Sequence, residues 1–350
     1  MWRVVLGYSV ALLNHVGEDG VWRSPGDDGI EVLVAPRRGA EVDPRRHTLR
    51  AAMDRAGWDG ADCYLHCLPE YYPLPIDAFT ATPQVAVAIC DWNVAGRVSH
   101  LLRDHVDAIV CDHPGAEVLA SPAGPPIVPG LLWGWDASSW APARVDGLRD
   151  IDVLFVGSRN QAVHPRRERW LARLGRLGRR HRVRIHSEVY GQEYRSLHQR
   201  AKLVFNHSVR GEANMRSFEA PVAGACVLNE RDNPTLPRVF EPDVEYVTYD
   251  ADDLERVVDA LVADEALRRS IARSGQRAAL AHSYDVHWAE ILGDLRHALD
   301  GAPPRRAPSG AAEALAEQWS ASAVAEARAS AGWAARSGGV DPGTAARTEA

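Results

Sequence analysis

Short apolar runs alternate with helical patterns along most of the chain, in two successive units. Strand patterns fall at Arg3–Gly7, Ile30–Val34, Asp62–His66, Gln84–Ile89, Ala108–Cys111 and Pro126–Val128. Helical periodicity lies between several of them, at His47–Ala56 and Val94–Asp104. A second series starts at Ile151, with strands at Val153–Val156, Arg182–Ile185, Leu203–Asn206, Ala225–Leu228 and Glu245–Thr248. Its helices are expected near Pro165–Leu177, Gln192–Arg200, Met215–Val222, Asp253–Ala263, Glu265–Ala281 and Val286–Ala298. Strand–helix alternation predicts parallel sheets covered on both faces, an α/β architecture. With 350 residues the chain exceeds one ordinary core. We therefore expect two domains, residues 1–145 and 146–300. The Pro/Gly/Trp-rich stretch Pro122–Pro142 forms the exit from the first. Residues 301–350 read as a Pro/Ala-rich linker and partly disordered tail, with Trp319 and Trp333 its only large aromatics.

Bulk charge narrows the function. A net charge of −7 implies no general affinity for nucleic acid or an anionic membrane. No apolar run reaches transmembrane length and residues 1–20 lack a signal-peptide pattern. Five cysteines on apolar segments predict reduced, buried thiols and a cytoplasmic protein. Cys63, His66 and Cys67 could open a zinc site, but no second ligand pair has suitable spacing.

The segment Asn214–Leu228, NMRSFEAPVAGACVL, carries the most chemistry. It reads as a helix followed by a turn at Ala223-Gly224 and a short strand. A helix N-terminus suits a phosphate. Arg216 can neutralise a diphosphate with its planar fork, and Glu219, one turn on, can accept bonds from ribose hydroxyls. These are the parts of a nucleotide-sugar site, although an amphipathic helix with a solvated Arg216–Glu219 pair would look the same. Upstream, the Gly157-Ser158 loop follows a strand, where backbone N–H groups can receive a phosphate. Arg159 and Arg166 could reach the diphosphate, and His207 could line the cleft or stand in water.

The order DVLFVGSR at 152–159, HPRR at 164–167, NMRSFEAPVAG at 214–224 and EYVTYD at 245–250 resembles the CgeB-like branch of the group 1 glycosyltransferases. The resemblance spans roughly Asp152 to Leu299. It implies a GT-B fold, two Rossmann-like doubly wound domains facing a cleft. The second domain would bind a nucleoside-diphosphate sugar through Gly157, Ser158, Arg159, Arg166, His207, Asn214, Arg216 and Glu219, and the first a small-molecule or glycan acceptor. No cofactor and no catalytic metal are expected. The broader retaining pattern has two glutamates eight positions apart. Glu219 matches the second, Gly211 stands at the first, and Glu212 is displaced by one. Retention or inversion is left open.

Three residues of the first half are candidates for the catalytic base. Asp91 lies just past the Val85–Ile89 strand, where a helix N-cap would need the same residue type. His15 follows the first strand, and His113 follows Cys111-Asp112. Glu70, Tyr71, Tyr72, Trp92, Trp133 and Trp135 cluster near strand ends, where aromatic faces could stack on a sugar or simply pack. Asp250-Ala251-Asp252 looks like a metal-holding acid pair but reads better as a strand-to-helix cap. The rival functions are a GT-B epimerase and a non-catalytic sugar-nucleotide or glycan-binding protein.

Overall fold

The computed structural model describes residues 1–7, 13–26, 28–35, 47–70, 72, 74–92, 102, 105–159, 164, 166–208 and 210–304. The helix expected at Val94–Asp104, Tyr71 and the whole tail with Trp319 and Trp333 lie outside that set or almost wholly so.

The first domain is a seven-stranded sheet of β1 (Trp2–Gly7), β2 (Val21–Arg23), β3 (Ile30–Val34), β4 (Cys63–Cys67), β5 (Gln84–Ile89), β6 (Ala108–Cys111) and β7 (Ile127–Pro129). The strand order is β2-β3-β1-β4-β5-β6-β7, parallel throughout except for β2, which pairs antiparallel with β3 at the edge. Two helices described here are α1 (Leu49–Arg55) and α2 (His113–Leu119). Every residue of β4 and β6 is buried, as strands covered on both faces must be. Neither β2 nor α2 shows in the periodicity. Three residues are too few for an alternation signal, and α2 is set by its Asp112 cap and Pro114 rather than by an apolar stripe.

The second sheet comprises β8 (Ile151–Val156), β9 (Val183–His186), β10 (Ala201–Phe205), β11 (Cys226–Glu230) and β12 (Val247–Tyr249), ordered β12-β11-β10-β8-β9 and fully parallel. Around it lie α3 (Arg167–Leu177), α4 (Gly191–Arg200), α5 (Met215–Val222), α6 (Leu254–Ala263) and α7 (Glu265–Ala279). Each sheet packs apolar side chains on both faces, for instance Val4 and Leu65 against Val5 and Tyr64, or Leu154 and Val204 against Phe155 and Phe205. Both sheets reverse their strand order, between β1 and β4 in the first and between β8 and β10 in the second. Ligands of open α/β sheets bind beyond the carboxyl ends of strands at such a reversal.

One element departs from the expected division at residue 145. The last helix, α8 (Tyr284–Leu299), leaves the second domain and packs into the first. Trp288, Ile291, Leu292, Leu295 and Leu299 join the same apolar cluster as Val4, Leu65 and Val110. The linker is fitted to its start. A Cβ on Gly134 would stand 2.8 Å from the backbone of Ser283, and one on Gly130 would lie 2.5 Å from Ile291. Trp288 Nε1 donates to the carbonyl of Leu132 at 3.2 Å. Helical periodicity reports that α8 has an apolar face, but not which sheet that face covers.

Candidate active site

The side of the candidate site that the second domain contributes is built on Asn206, at the end of β10. Its Oδ1 accepts from Asn214 Nδ2 and from Arg216 Nε, both at 3.0 Å, and its Nδ2 donates to Ser217 Oγ at 3.1 Å and Asn229 Oδ1 at 2.7 Å. This fully buried amide ties the first turn of α5 to β10 and β11. Arg216 is therefore not a solvated partner of Glu219. Its Nη1 donates to the Val156 carbonyl at 2.7 Å and its guanidinium lies 4.9 Å from the Phe155 ring centroid. Gly157 is needed for this approach, because a Cβ there would fall 2.3 Å from Arg216 Nη1. The Gly157 N–H is spent on the His186 carbonyl at 3.1 Å, so the loop offers a phosphate less than its composition suggested.

Arg159 and Arg166 sit on the outside. Arg159 is exposed and pairs with Glu168 at 2.5 Å, and Arg166, at the N-cap of α3, is exposed as well. The neighbour of Arg166 turns inward instead. Arg167 is 4 % exposed and donates to the Ser158 carbonyl at 2.8 Å and the His207 carbonyl at 3.2 Å. It spans the gap between the β8 and β10 loops, where the strand order reverses. Its Nε is buried without a hydrogen-bond partner, as are His164 Nδ1, His207 Nδ1 and Asn214 Oδ1. Burial lowers the Arg167 pKa to about 9, with Arg216 adding repulsion, and lowers that of His164 to about 2, with Arg167, Arg216 and Arg210 next. Burial also holds His207 near 4. Buried polar groups without partners are rare, and here they gather beside the buried guanidinium groups of Arg167 and Arg216, which could receive an anion.

Glu219 is 3 % exposed and accepts from Tyr194 Oη at 2.8 Å. Burial raises its pKa to about 8, against the pull of Tyr194 and Arg216. Gly211 shows why the earlier glutamate position is vacant. It has φ +81°, and a Cβ would stand 2.4 Å from Pro234 Cδ. Glu212 turns to Arg210, accepting from its backbone N–H at 2.9 Å.

Across the cleft the carboxylates dominate. Asp91 forms an ion pair of 2.5 Å with Arg210, which reaches over from the second domain and is also 3.7 Å from Glu212. Glu70, fully buried, accepts from the N–H groups of Cys90 at 2.8 Å and Asp91 at 2.6 Å, and burial lifts its pKa to about 7. Asp112 caps α2 through Gly115 N and accepts from Trp92 Nε1 at 3.0 Å; burial raises it to about 6. His113, next to it, is partly exposed and its pKa is lowered, first by burial and then by Arg238 of the second domain.

His15 differs from both other candidates. It sits at φ +48° with its Nδ1 on Asp285 Oδ2, while its side chain stays 62 % exposed. Asp285 Oδ1 is fixed by the Asn14 N–H at 2.7 Å and Trp22 Nε1 at 3.0 Å. Asp285 lies 270 residues away on α8, so no local motif could reveal the pair. Among the aromatics, Tyr72 and Trp135 are core residues, whereas Trp92 and Trp133 are half-buried. Asp250 Oδ1 accepts from the N–H groups of Asp252 at 2.8 Å and Asp253 at 3.1 Å, as a cap does. His66 spends both ring nitrogens on Tyr64 Oη and the Tyr72 carbonyl, all five cysteines are free and buried, and no metal-type cluster occurs among the described residues. No helix among them is long and apolar enough to cross a membrane.

A family model described as glycosyl transferase-like matches residues 140–293. The chain has the GT-B fold, and its second half is similar to that glycosyl transferase-like family. Among solved structures, the chain is similar to TarM, with a TM-score of 0.50 at 9% identity over 68% of this chain and 55% of TarM. Looser likenesses include AviGT4, a glycosyltransferase involved in avilamycin A biosynthesis (TM-score 0.48, 17% identity, 86% of this chain and 99% of that one). Another is HepE of Anabaena in complex with UDP and glucose (TM-score 0.47, 13% identity, 69% and 78%). No curated protein sequence matches the chain.

Proposed function

We propose that the chain moves a sugar from a nucleoside-diphosphate donor to an acceptor hydroxyl, without a catalytic metal, as a cytoplasmic enzyme of the CgeB-like branch. The observation that carries this is the buried group of Arg167, Arg216, His164 and His207 at the β8–β10 reversal, rich in unpaired polar atoms. A diphosphate placed there would meet Arg167 Nε and the N-terminal end of α5. As the bond from sugar to phosphate breaks, the same fixed charges take up the negative charge of the leaving group. Glu219 lies one turn along α5 for the ribose. Gly157 and Ser158 serve by letting Arg216 and Arg167 in, and Arg159 and Arg166 stay at the rim.

Of the three base candidates, His15 is best supported. Asp285 fixes its ring through Nδ1, which leaves Nε2 to take the proton of the acceptor hydroxyl as the new glycosidic bond forms. Asp91 is engaged by Arg210, and no carboxylate is paired with His113 among the described residues. The partners are thus the nucleotide sugar and a small-molecule or glycan acceptor, with no role for nucleic acid. HepE and the pneumococcal O-GlcNAc transferase GtfA are both known in complex with UDP, which makes UDP the first nucleotide to try. Calorimetric titration of UDP, GDP, dTDP and CMP into the wild type and Arg167→Met tests the reading. At least one should bind, and the substitution should weaken it by about ten- to a hundredfold. Because Arg167 also bonds the Ser158 and His207 carbonyls, the melting temperature of the variant is measured alongside, so that lost affinity is separated from lost folding. Equal affinity in both proteins would remove the donor site.

A further inference from the structure

The second domain has another collection of cations, at the opposite end of its sheet. A pocket of about 420 Å³ opens at the N-terminal ends of β8, β10 and β11, lined by Arg149, Lys202, Arg268 and Arg269 with Asp146 and Glu265. Two of these cations are matched. Lys202 pairs with Asp152 at 2.7 Å, and Arg269 pairs with Glu265. Asp146 is taken by Arg273 at 3.0 Å.

Arg149 and Arg268 ion-pair with no carboxylate among the described residues. Arg149 gives its N–H groups to backbone carbonyls alone, Ala201 at 2.7 Å and Ala223 at 2.9 Å being the shortest. Gly224 makes room for it, since a Cβ there would lie 2.4 Å from Arg149 Nη2. Arg268 is 5 % exposed and donates only through Nη1, to the carbonyls of Leu261 at 2.7 Å and Val262 at 3.3 Å. Its Nε and Nη2 bond to nothing among the described residues. Apart from those of Arg144 and Val145 in the linker, the carbonyls belong to the ends of α4, α5 and α6, and helix C-termini return only part of a negative charge each. Burial and the neighbouring Arg268 and Arg269 hold Arg149 down to about 10. Two guanidinium groups thus share a pocket of small-molecule size with no carboxylate ion-paired to either, Asp146 and Glu265 attracting them only from a distance.

We propose that this pocket binds a small oxyanion of the phosphate class, held by the free edge of Arg268 with Arg149 and Arg269 supplying charge. The site is separate from the cleft, which lies beyond the other ends of the same strands. An ion here would bridge the β8 and α7 segments beneath the donor half. A planar guanidinium edge with two parallel donors matches two oxygens of one phosphate.

Site-resolved hydrogen exchange on the full chain decides the matter, because phosphate could also enter the cleft. Inorganic phosphate, titrated at constant ionic strength against chloride, should slow exchange in segments 145–150 and 265–272. R268Q should raise the half-saturating phosphate concentration for that protection by about tenfold or more, while cleft segments respond as before. If R268Q fails to fold, R269Q carries the same test with a smaller shift. Protection confined to cleft segments, equal protection by chloride, or an unchanged response in the variant that folds would overturn the proposal. None of these outcomes depends on nucleotide binding, so the donor site stands or falls separately.

Discussion

The two edges that face the cleft are made in opposite ways. The donor edge is local and basic. Asn206, Asn214, Arg216 and Ser217 lie within one strand, loop and helix, and their hydrogen bonds set the start of α5 before any ligand arrives. The acceptor edge is acidic and assembled from afar. Asp91 is held by Arg210 of the other domain, and His15 by Asp285 of the last helix. The first edge is preorganised and would need little rearrangement to receive the proposed diphosphate, whereas the second exists only when both domains are in place.

That contrast can be broken at its strongest point first. His15→Ala should lower turnover by about a hundred- to ten-thousandfold with donor affinity unchanged. Asp285→Asn should lose activity too, because Asp285 is the group that fixes the His15 ring. Full turnover in H15A would return the role to Asp91 or His113. Next in size is Asp91→Asn, which leaves Arg210 buried without its interdomain carboxylate. Breaking a pair of that kind costs about 3 kcal/mol, so denaturant unfolding should show a clear loss while nucleotide titration does not. A variant as stable as wild type but unable to transfer sugar would make Asp91 the base.

A smaller effect sharpens the donor side. The folded-state pKa of Glu219 is raised from 4.5 to about 8. Between those values the unfolded chain has released a proton that the folded chain keeps, so this group's contribution to stability falls as pH rises through the window. Glu219→Gln should remove that slope, measured as unfolding free energy against pH, and the same slope in both proteins would mean that the carboxyl is ionised and solvated. Last comes an expected absence of effect. EDTA should leave turnover within error, and loss restored by Mg²⁺ or Mn²⁺ would discard the metal-free mechanism.

Much of the local structure of the proposed donor edge was legible because its signals are local. Strand periodicity located β8, β10 and β11, and the Asn214 segment pointed to Arg216 and Glu219. The contrast between two arginines is instructive. Arg166 and Arg167 are adjacent and chemically identical, and only the rotation of α3 decides which of them is buried. Gly211 looked like a missing glutamate until Pro234 was seen to fill the space. Tyr194 and Arg210 carry no motif at all. Their roles come from contacts across elements, as does the His15–Asp285 pair, and a single sequence does not encode such contacts at any fixed spacing.

The return of α8 to the first sheet has a consequence for biogenesis. The last strand of that sheet, β7, ends at Pro129, and the helix that closes its apolar face begins at Tyr284. At ribosomal rates of about 5–20 residues per second, the nascent first domain would wait roughly 8–30 s with that face uncovered. Residues such as Val4, Leu65 and Val110 would meanwhile be open to chaperones. The amino-terminal half, though synthesised first, would be the last to reach its final form. Fragments ending before Tyr284 should aggregate in cells, and supplying the 284–299 helix in trans should rescue them.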